Sequence, residues 1–333
     1  MVETQPDLMR LPWVFLGKPL HRDYIPDSME KTALLFAGQG AQFVGMGKEL
    51  YDQSPAARAL FNEADQALGV KLTDVCFTGP ADKLTDTSWC QPAIFTHSLA
   101  ALAAIREKMP DFQFQAAAGL SLGEWSALTA AGWIKFSDAV KTVRLRGQLM
   151  QEACLQTKGG MASVMGMDAG KLKTVCDEAG IDMANLNCPG QIVVSGTKEG
   201  IDKAMALAKE RGAKRAIPLA VAGAYHSRLM QSAAEKLRPE IAGLAIQPSN
   251  IAVISNVTAA PHEAGALKEQ LVRQITSSVR WEDSMRALLA QGFRSFIELG
   301  PGEVLAGLLK RIDREARVIS AGKPADLAKL AIN

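Results

Sequence analysis

The segment Ala117-Ala118-Gly119-Leu120-Ser121-Leu122-Gly123-Glu124-Trp125 sets Gly-x-Ser-x-Gly between an apolar run and a helix-forming one. A serine in that setting can stand on a sharp strand-to-helix turn with its hydroxyl presented as a nucleophile. The flanking glycines suit the turn because they accept φ > 0 and leave no side chain in a substrate's path. Taken alone, the motif is equally compatible with an ordinary glycine turn. A hydroxyl also needs a base to take its proton, and the chain offers four histidines. His21 lies in an irregular stretch and His262 in a polar loop, where solvated side chains are expected. His97 falls in an apolar helix, where a buried histidine bonded to a backbone carbonyl is expected. His226, in Val221-Ala222-Gly223-Ala224-Tyr225-His226-Ser227, ends a strand where two segments of different rhythm meet, a setting open to catalysis and to packing alike. Arg146, in Arg144-Leu145-Arg146-Gly147-Gln148, is the third candidate, although an arginine on a helix is ordinarily a solvated charge.

Alternating strands and helices must position these residues. An apolar strand at 32–36 runs into Ala37-Gly38-Gln39-Gly40-Ala41-Gln42, whose small residues allow a close approach of backbone to ligand. Apolar recurrence at three and four residues predicts helices at 56–68 and 93–109, the second leading to a strand at 116–119 and the serine turn. The rhythm then changes to strand 161–166, helix 169–179, strands 183–188 and 191–196, helix 198–211 and strand 213–221. That βαββαβ order is ferredoxin-like. Beyond it come a strand at 251–255, a helix at 281–291, a strand at 295–299 and a helix from 304. The expected fold is α/β: a large α/β-hydrolase-like domain with a parallel sheet, 31–157 and 224–333, interrupted by a small ferredoxin-like insert, 158–223. Residues 1–30, broken by Pro6, Pro12, Pro19 and Pro26, read as an irregular extension. Met29 stands just before the first strand, and the expectation is that translation naturally starts there.

With 48% hydrophobic residues among 333, the chain can bury a large core. Thirty-seven basic side chains against 35 acidic ones give a net charge of +2, which points to neither nucleic acid nor a membrane surface. No apolar run approaches the roughly twenty residues of a membrane span. Five cysteines without a Cys-x-x-Cys pair suit a reducing compartment, so a cytoplasmic location is expected. No heptad or dimer element stands out, and a monomer is expected.

Several further motifs stand in order: Gly38-Gln39-Gly40-Ala41-Gln42, Gln91-Pro92-Ala93, Gly119-x-Ser121-x-Gly123-Glu124, Arg146-Gly147 with Met150-Gln151, and Asn187-x-Pro189-Gly190-Gln191. They continue with His226-Ser227, Leu271-Val272-Arg273-Gln274 and Glu298-x-Gly300-Pro301-Gly302. Together they resemble the malonyl-CoA:acyl carrier protein transacylases and, more distantly, the acyltransferase domains of polyketide and fatty acid synthases. The resemblance implies that Ser121 accepts the acyl group and that His226 is its base, oriented by the backbone carbonyl of Gln274. It implies an oxyanion hole from the amides of Gln39 and Leu122, a carboxylate clamp at Arg146, and substrate contacts from Asn187 and Tyr225. Malonyl-CoA and an acidic acyl carrier protein would be the partners, met by a local Lys/Arg patch, and no metal or redox cofactor would be needed. A stand-alone polyketide acyltransferase would use the same chemistry; a serine thioesterase or hydrolase is the other reading of Gly-x-Ser-x-Gly. Leu120 departs from the histidine that many members carry before the nucleophile, which leaves the Ser121–His226 dyad intact.

Overall fold

The computed structural model describes residues 31–330, so the extension, His21 and the expected start at Met29 lie outside the described residues. Strand β1 (Thr32–Phe36) is apolar because both its faces are covered. Ala33 and Leu35 enter one core while Leu34 and Phe36 enter another, as the two-residue period of a strand dictates. Such a strand belongs in the middle of a parallel sheet. It is the central one of five, in the order β7-β2-β1-β8-β9, with β2 (Ala116–Gly119), β7 (Ala252–Val253), β8 (Ser295–Leu299) and β9 (Arg317–Ser320). All four pairings are parallel. Phe36 stands level with Gly119 on one side and Leu299 on the other, so the chain leaves three strands along one edge. Open α/β sheets bind ligands at that carboxyl edge. β9 was not expected, because an edge strand with charged and polar ends carries no apolar run.

Helices α1 (Lys48–Gln53), α2 (Pro55–Leu68), α3 (Leu72–Thr78), α4 (Ala81–Thr85) and α5 (Thr87–Lys108) connect β1 to β2. α5 begins at Thr87 instead of 93, since Asp86 caps it by accepting from the Ser88 amide at 2.8 Å and Pro92 is accommodated inside. α6 (Leu122–Ala130) and α7 (Phe136–Thr157) follow β2.

The chain next builds β3 (Gly159–Met165), α8 (Ala169–Ala179), β4 (Asp182–Cys188), β5 (Gln191–Thr197), α9 (Lys198–Glu210) and β6 (Arg215–Pro218). These strands form an antiparallel sheet of order β4-β5-β3-β6, the ferredoxin-like arrangement, with a core of its own around Val164, Leu172, Val175, Val194 and Ile201. β6 stops at Pro218, short of the expected end at 221, although the Leu219 amide still donates to the Met161 carbonyl of β3 at 2.9 Å. Two backbone bonds tie β4 to the first body: Leu186 N–H to the Val279 carbonyl at 2.9 Å, and Val279 N–H to Ala184 at 2.8 Å. The chain closes with α10 (Gln231–Gly243), β7, α11 (Leu267–Gln274), α12 (Trp281–Ala290), β8, α13 (Val304–Ile312), β9 and α14 (Leu327–Leu330). The fold is thus α/β, a parallel sheet with a separate small antiparallel sheet set into the chain between α7 and α10.

Candidate active site

Ser121 is the residue between β2 and α6, with φ 55° and ψ −102°. A non-glycine residue held there is strained and persists only where its surroundings fix it. The glycines around it are demanded by contact: a Cβ on Gly119 would lie 1.9 Å from the Gly123 carbonyl carbon, and one on Gly123 would lie 2.1 Å from the Phe36 carbonyl oxygen. Helix α6 therefore seats directly on the end of β1. Asn256, just beyond β7, clamps the turn by accepting from the Ser121 amide at 2.7 Å and donating to the Gly119 carbonyl at 2.8 Å.

Four of the residues singled out in the sequence meet here. The Ser121 Oγ lies 2.7 Å from His226 Nε2, and His226 Nδ1 lies 2.9 Å from the Gln274 carbonyl oxygen. An Nδ1–H donated to that carbonyl leaves Nε2 as the acceptor for the serine proton. Burial, reinforced by the charge of Arg146, holds the His226 pKa down to about 4, so the imidazole is neutral at neutral pH and its Nε2 lone pair is open to a proton. His226 also has a left-handed backbone, φ 55°.

Arg146, on α7, is 1% exposed and far from the solvated charge its helix position suggests. Its guanidinium donates to Gln91 Oε1 at 2.7 Å, to Ser121 Oγ at 3.0 Å and to Gln274 Oε1 at 3.0 Å. Its Nε–H is buried with no partner. Burial lowers its pKa to about 10, against the opposing pull of Glu124, and it stays charged at neutral pH.

Tyr225 lies beside this group, its phenol 2.6 Å from Thr87 Oγ1 at the start of α5, and burial raises its pKa. Gln39 Nε2 donates to the same threonine oxygen at 3.2 Å. The Gly38 backbone passes so close to the serine turn that a Cβ there would lie 2.6 Å from the Leu120 carbonyl oxygen. Leu122 opens α6 as its first residue. Asn187 sits half-buried on β4, its Oδ1 buried without a partner, and no hydrogen bond joins it to the serine group.

The structure corrects two histidine readings. His262 is buried and bonded through Nε2 to Glu124 Oε1; the polar residues around it in sequence mark a turn, while the His262 amide bonds the Val253 carbonyl and draws the side chain inward. His97 is buried as expected, yet its Nδ1 finds no carbonyl, and burial lowers its pKa to about 4. Sequence reasoning assigned no role to Gln91, Glu124, Thr87 or Asn256. Asn256 could have been found from its place after a parallel strand. Among the described residues no group of three His, Cys, Asp or Glu side chains could hold a metal ion, and no helix is long and apolar enough to cross a membrane.

Residues 33–328 match the acyl transferase domain family. The malonyl CoA-acyl carrier protein transacylase of Bacillus subtilis (strain 168) is 51% identical over 312 residues, covering 91% of this chain and 97% of the relative. The crystal structure of the Clostridium perfringens malonyl CoA-acyl carrier protein transacylase superposes with a TM-score of 0.87 at 37% identity, covering 91% of this chain and 96% of that one. A malonyl-transacylase solved with the acyl-carrier protein of a type II polyketide synthase gives 0.88 at 36% identity, covering 91% and 100%. With the serine turn, the buried arginine and these likenesses spanning nearly every described residue, the chain belongs to the acyl transferase domain family.

Proposed function

We propose that this chain transfers the malonyl group from malonyl-CoA to the phosphopantetheine thiol of an acyl carrier protein through a malonyl ester on Ser121, supplying fatty acid synthesis. The observation that carries the reading is the Ser121 Oγ held between a neutral His226 and the guanidinium of Arg146. A hydrolase needs the first contact. The second adds a buried cation whose Nε–H has no partner, and the Nε and Nη2 donors on one edge of a guanidinium fit a carboxylate in bidentate fashion. A malonyl group brings such a carboxylate.

His226 removes the serine proton as Oγ attacks the thioester carbonyl. The oxyanion that forms would be met by the backbone amides of Leu122 and Gln39. The amides of Ser121, Gly123 and Glu124 are spent on Asn256, Leu120 and Ser121, so the first amide of α6 left for this task is that of Leu122. Collapse of the tetrahedral species expels CoA thiolate, which takes the proton from His226. In the second half the carrier thiol gives its proton to His226, attacks the ester and returns the serine hydroxyl. One base and one hole serve both directions, as ping-pong exchange requires. The Gln274 carbonyl fixes the imidazole in place of a triad carboxylate. Tyr225 and Asn187 would border the acyl group and the pantetheine. The relative solved with its acyl-carrier protein and the names of the other relatives support the partner.

Intact-protein mass spectrometry after brief incubation with malonyl-CoA tests the proposal. A single malonyl adduct is expected, absent in Ser121→Ala and lost on adding the phosphopantetheinylated carrier protein, which gains it. An adduct that water removes and the carrier does not accept would instead identify a thioesterase.

A further inference from the structure

Glu124 and His262 take no part in the steps above, yet both side chains are completely buried and bonded to each other. Glu124 stands one turn into α6 from Ser121, and His262 is pinned to β7 by its own amide, which donates to Val253 at 2.8 Å. The other carboxylate oxygen of Glu124 accepts from Gln274 Nε2, which also donates to the Ser121 carbonyl at 2.8 Å. With both protons of that amide engaged on one side, Gln274 must turn its Oε1 toward Arg146, where it accepts at 3.0 Å. The guanidinium is thereby surrounded by neutral acceptors alone: Gln91, Gln274 and the Ser121 hydroxyl. Burying a cation is costly without a counter-charge. The carboxylate that offsets it stands one amide group away.

We propose that Glu124, fixed by His262, is a relayed counter-ion that neutralises Arg146 through the Gln274 amide while leaving the guanidinium edge free to exchange a neutral partner for the substrate carboxylate. A carboxylate touching Arg146 directly would form a charge-assisted pair that each incoming malonyl group had to break. Removal of the counter-charge altogether would leave an unpaired buried cation and loosen the fold around it. The relay avoids both. His262 acts as a positioning residue: its Nε2–H holds one carboxylate oxygen so that the other faces Gln274. The inference rests on the malonyl reading, because only an acyl group with its own carboxylate gains from a guanidinium edge whose Nε–H has no partner and whose Nη2 is held by neutral acceptors alone.

The test compares His262→Leu, which deletes the donor, with His262→Gln, whose amide nitrogen can reach the same carboxylate oxygen, and with Glu124→Gln. Each full-length variant is assayed for malonyl loading from malonyl-CoA and for labelling of Ser121 by a fluorophosphonate, which needs the serine and its base and carries no carboxylate. Thermal melts identify variants that fail to fold. His262→Leu is expected to lower kcat/KM for malonyl-CoA on the order of tenfold, mostly as a rise in KM. Fluorophosphonate labelling should fall far less, and His262→Gln should recover most of the malonyl loss. Equal losses in both reactions would show a merely structural role and overturn the relay, as would a His262→Leu enzyme as fast as the parent. If the parent itself loads acetyl-CoA as well as malonyl-CoA and Arg146→Ala changes neither, the carboxylate clamp is what fails, and the relay falls with it.

Discussion

Ser121 and His226 share an unusual backbone, each at φ 55°, and their side chains meet at 2.7 Å. Both belong to the four non-glycine positions with positive φ among the described residues, the others being Lys158 and Ala259, and Ser121→Gly, which relieves that strain without opening a large cavity, should raise the melting temperature while abolishing acylation. A melt and a loading assay on Ser121→Gly decide this; a lower melting temperature would refute it. The depressed basicity of His226 has a pH consequence as well. A general base works when deprotonated, and its pKa is held to about 4, so the acylation rate should stay level from neutral pH down to about 5 and decline below that. A midpoint near 6.5 would mean that the imidazole is more hydrated than its burial implies. For Arg146, replacement by alanine removes the charged hydrogen bonds that the proposed clamp makes to the substrate carboxylate. The preference for malonyl-CoA over acetyl-CoA should shrink by about 1.5–3 kcal/mol, read as a ratio of kcat/KM values. An equal loss with both substrates would argue against a carboxylate clamp.

At the scale of elements, the serine turn depends on how closely α6 approaches β1. Gly123→Ala would force a methyl against the Phe36 carbonyl and displace the helix that carries the turn, so both stability and acylation should collapse together. The last motif, Glu298-x-Gly300-Pro301-Gly302, is structural by the same kind of reasoning. The Glu298 carboxylate accepts from the amides of Leu305 and Ala306, both at 2.9 Å, and so anchors the start of α13. Glu298→Ala should cost about 1–2 kcal/mol in a denaturant melt while the loading preference for malonyl is retained. Much of the architecture was legible because its signals are local: the period-two and period-three-to-four patterns of the insert, and the apolar run of β1 that only a doubly covered strand tolerates. Ser121 was legible because its glycines are sterically required. His262 was not, since a polar loop composition describes the turn around a side chain and says nothing of where that side chain goes. Arg146 was ambiguous for a related reason, as helical spacing cannot reveal that three neutral acceptors from three separate segments converge on it. β9 and the early start of α5 were missed where an edge strand lacked apolar alternation and where an aspartate cap, not the proline, set the boundary.

Across the whole molecule, burial couples stability to acid. Burial lowers the pKa of both His97 and His226 from the ordinary 6.5 to about 4. Between those values the unfolded chain binds more protons than the folded one, so stability present above pH 6.5 is lost as the pH falls toward 4. The melting temperature should therefore drop over that window, and His97→Leu, which removes one of the two groups without touching the serine site, should make the drop shallower. An unchanged slope would show that His97 is protonated in the fold. The order of the site along the chain carries a different consequence. Ser121 and Arg146 precede the antiparallel sheet, whereas His226 and Gln274 follow it. During synthesis the ribosome therefore releases the proposed nucleophile and carboxylate clamp first, and an entire small sheet must be translated before the proposed base and its orienting carbonyl emerge. On the proposed mechanism, a nascent chain that ends before His226 and Gln274 should be neither acylated by a thioester nor able to hydrolyse one.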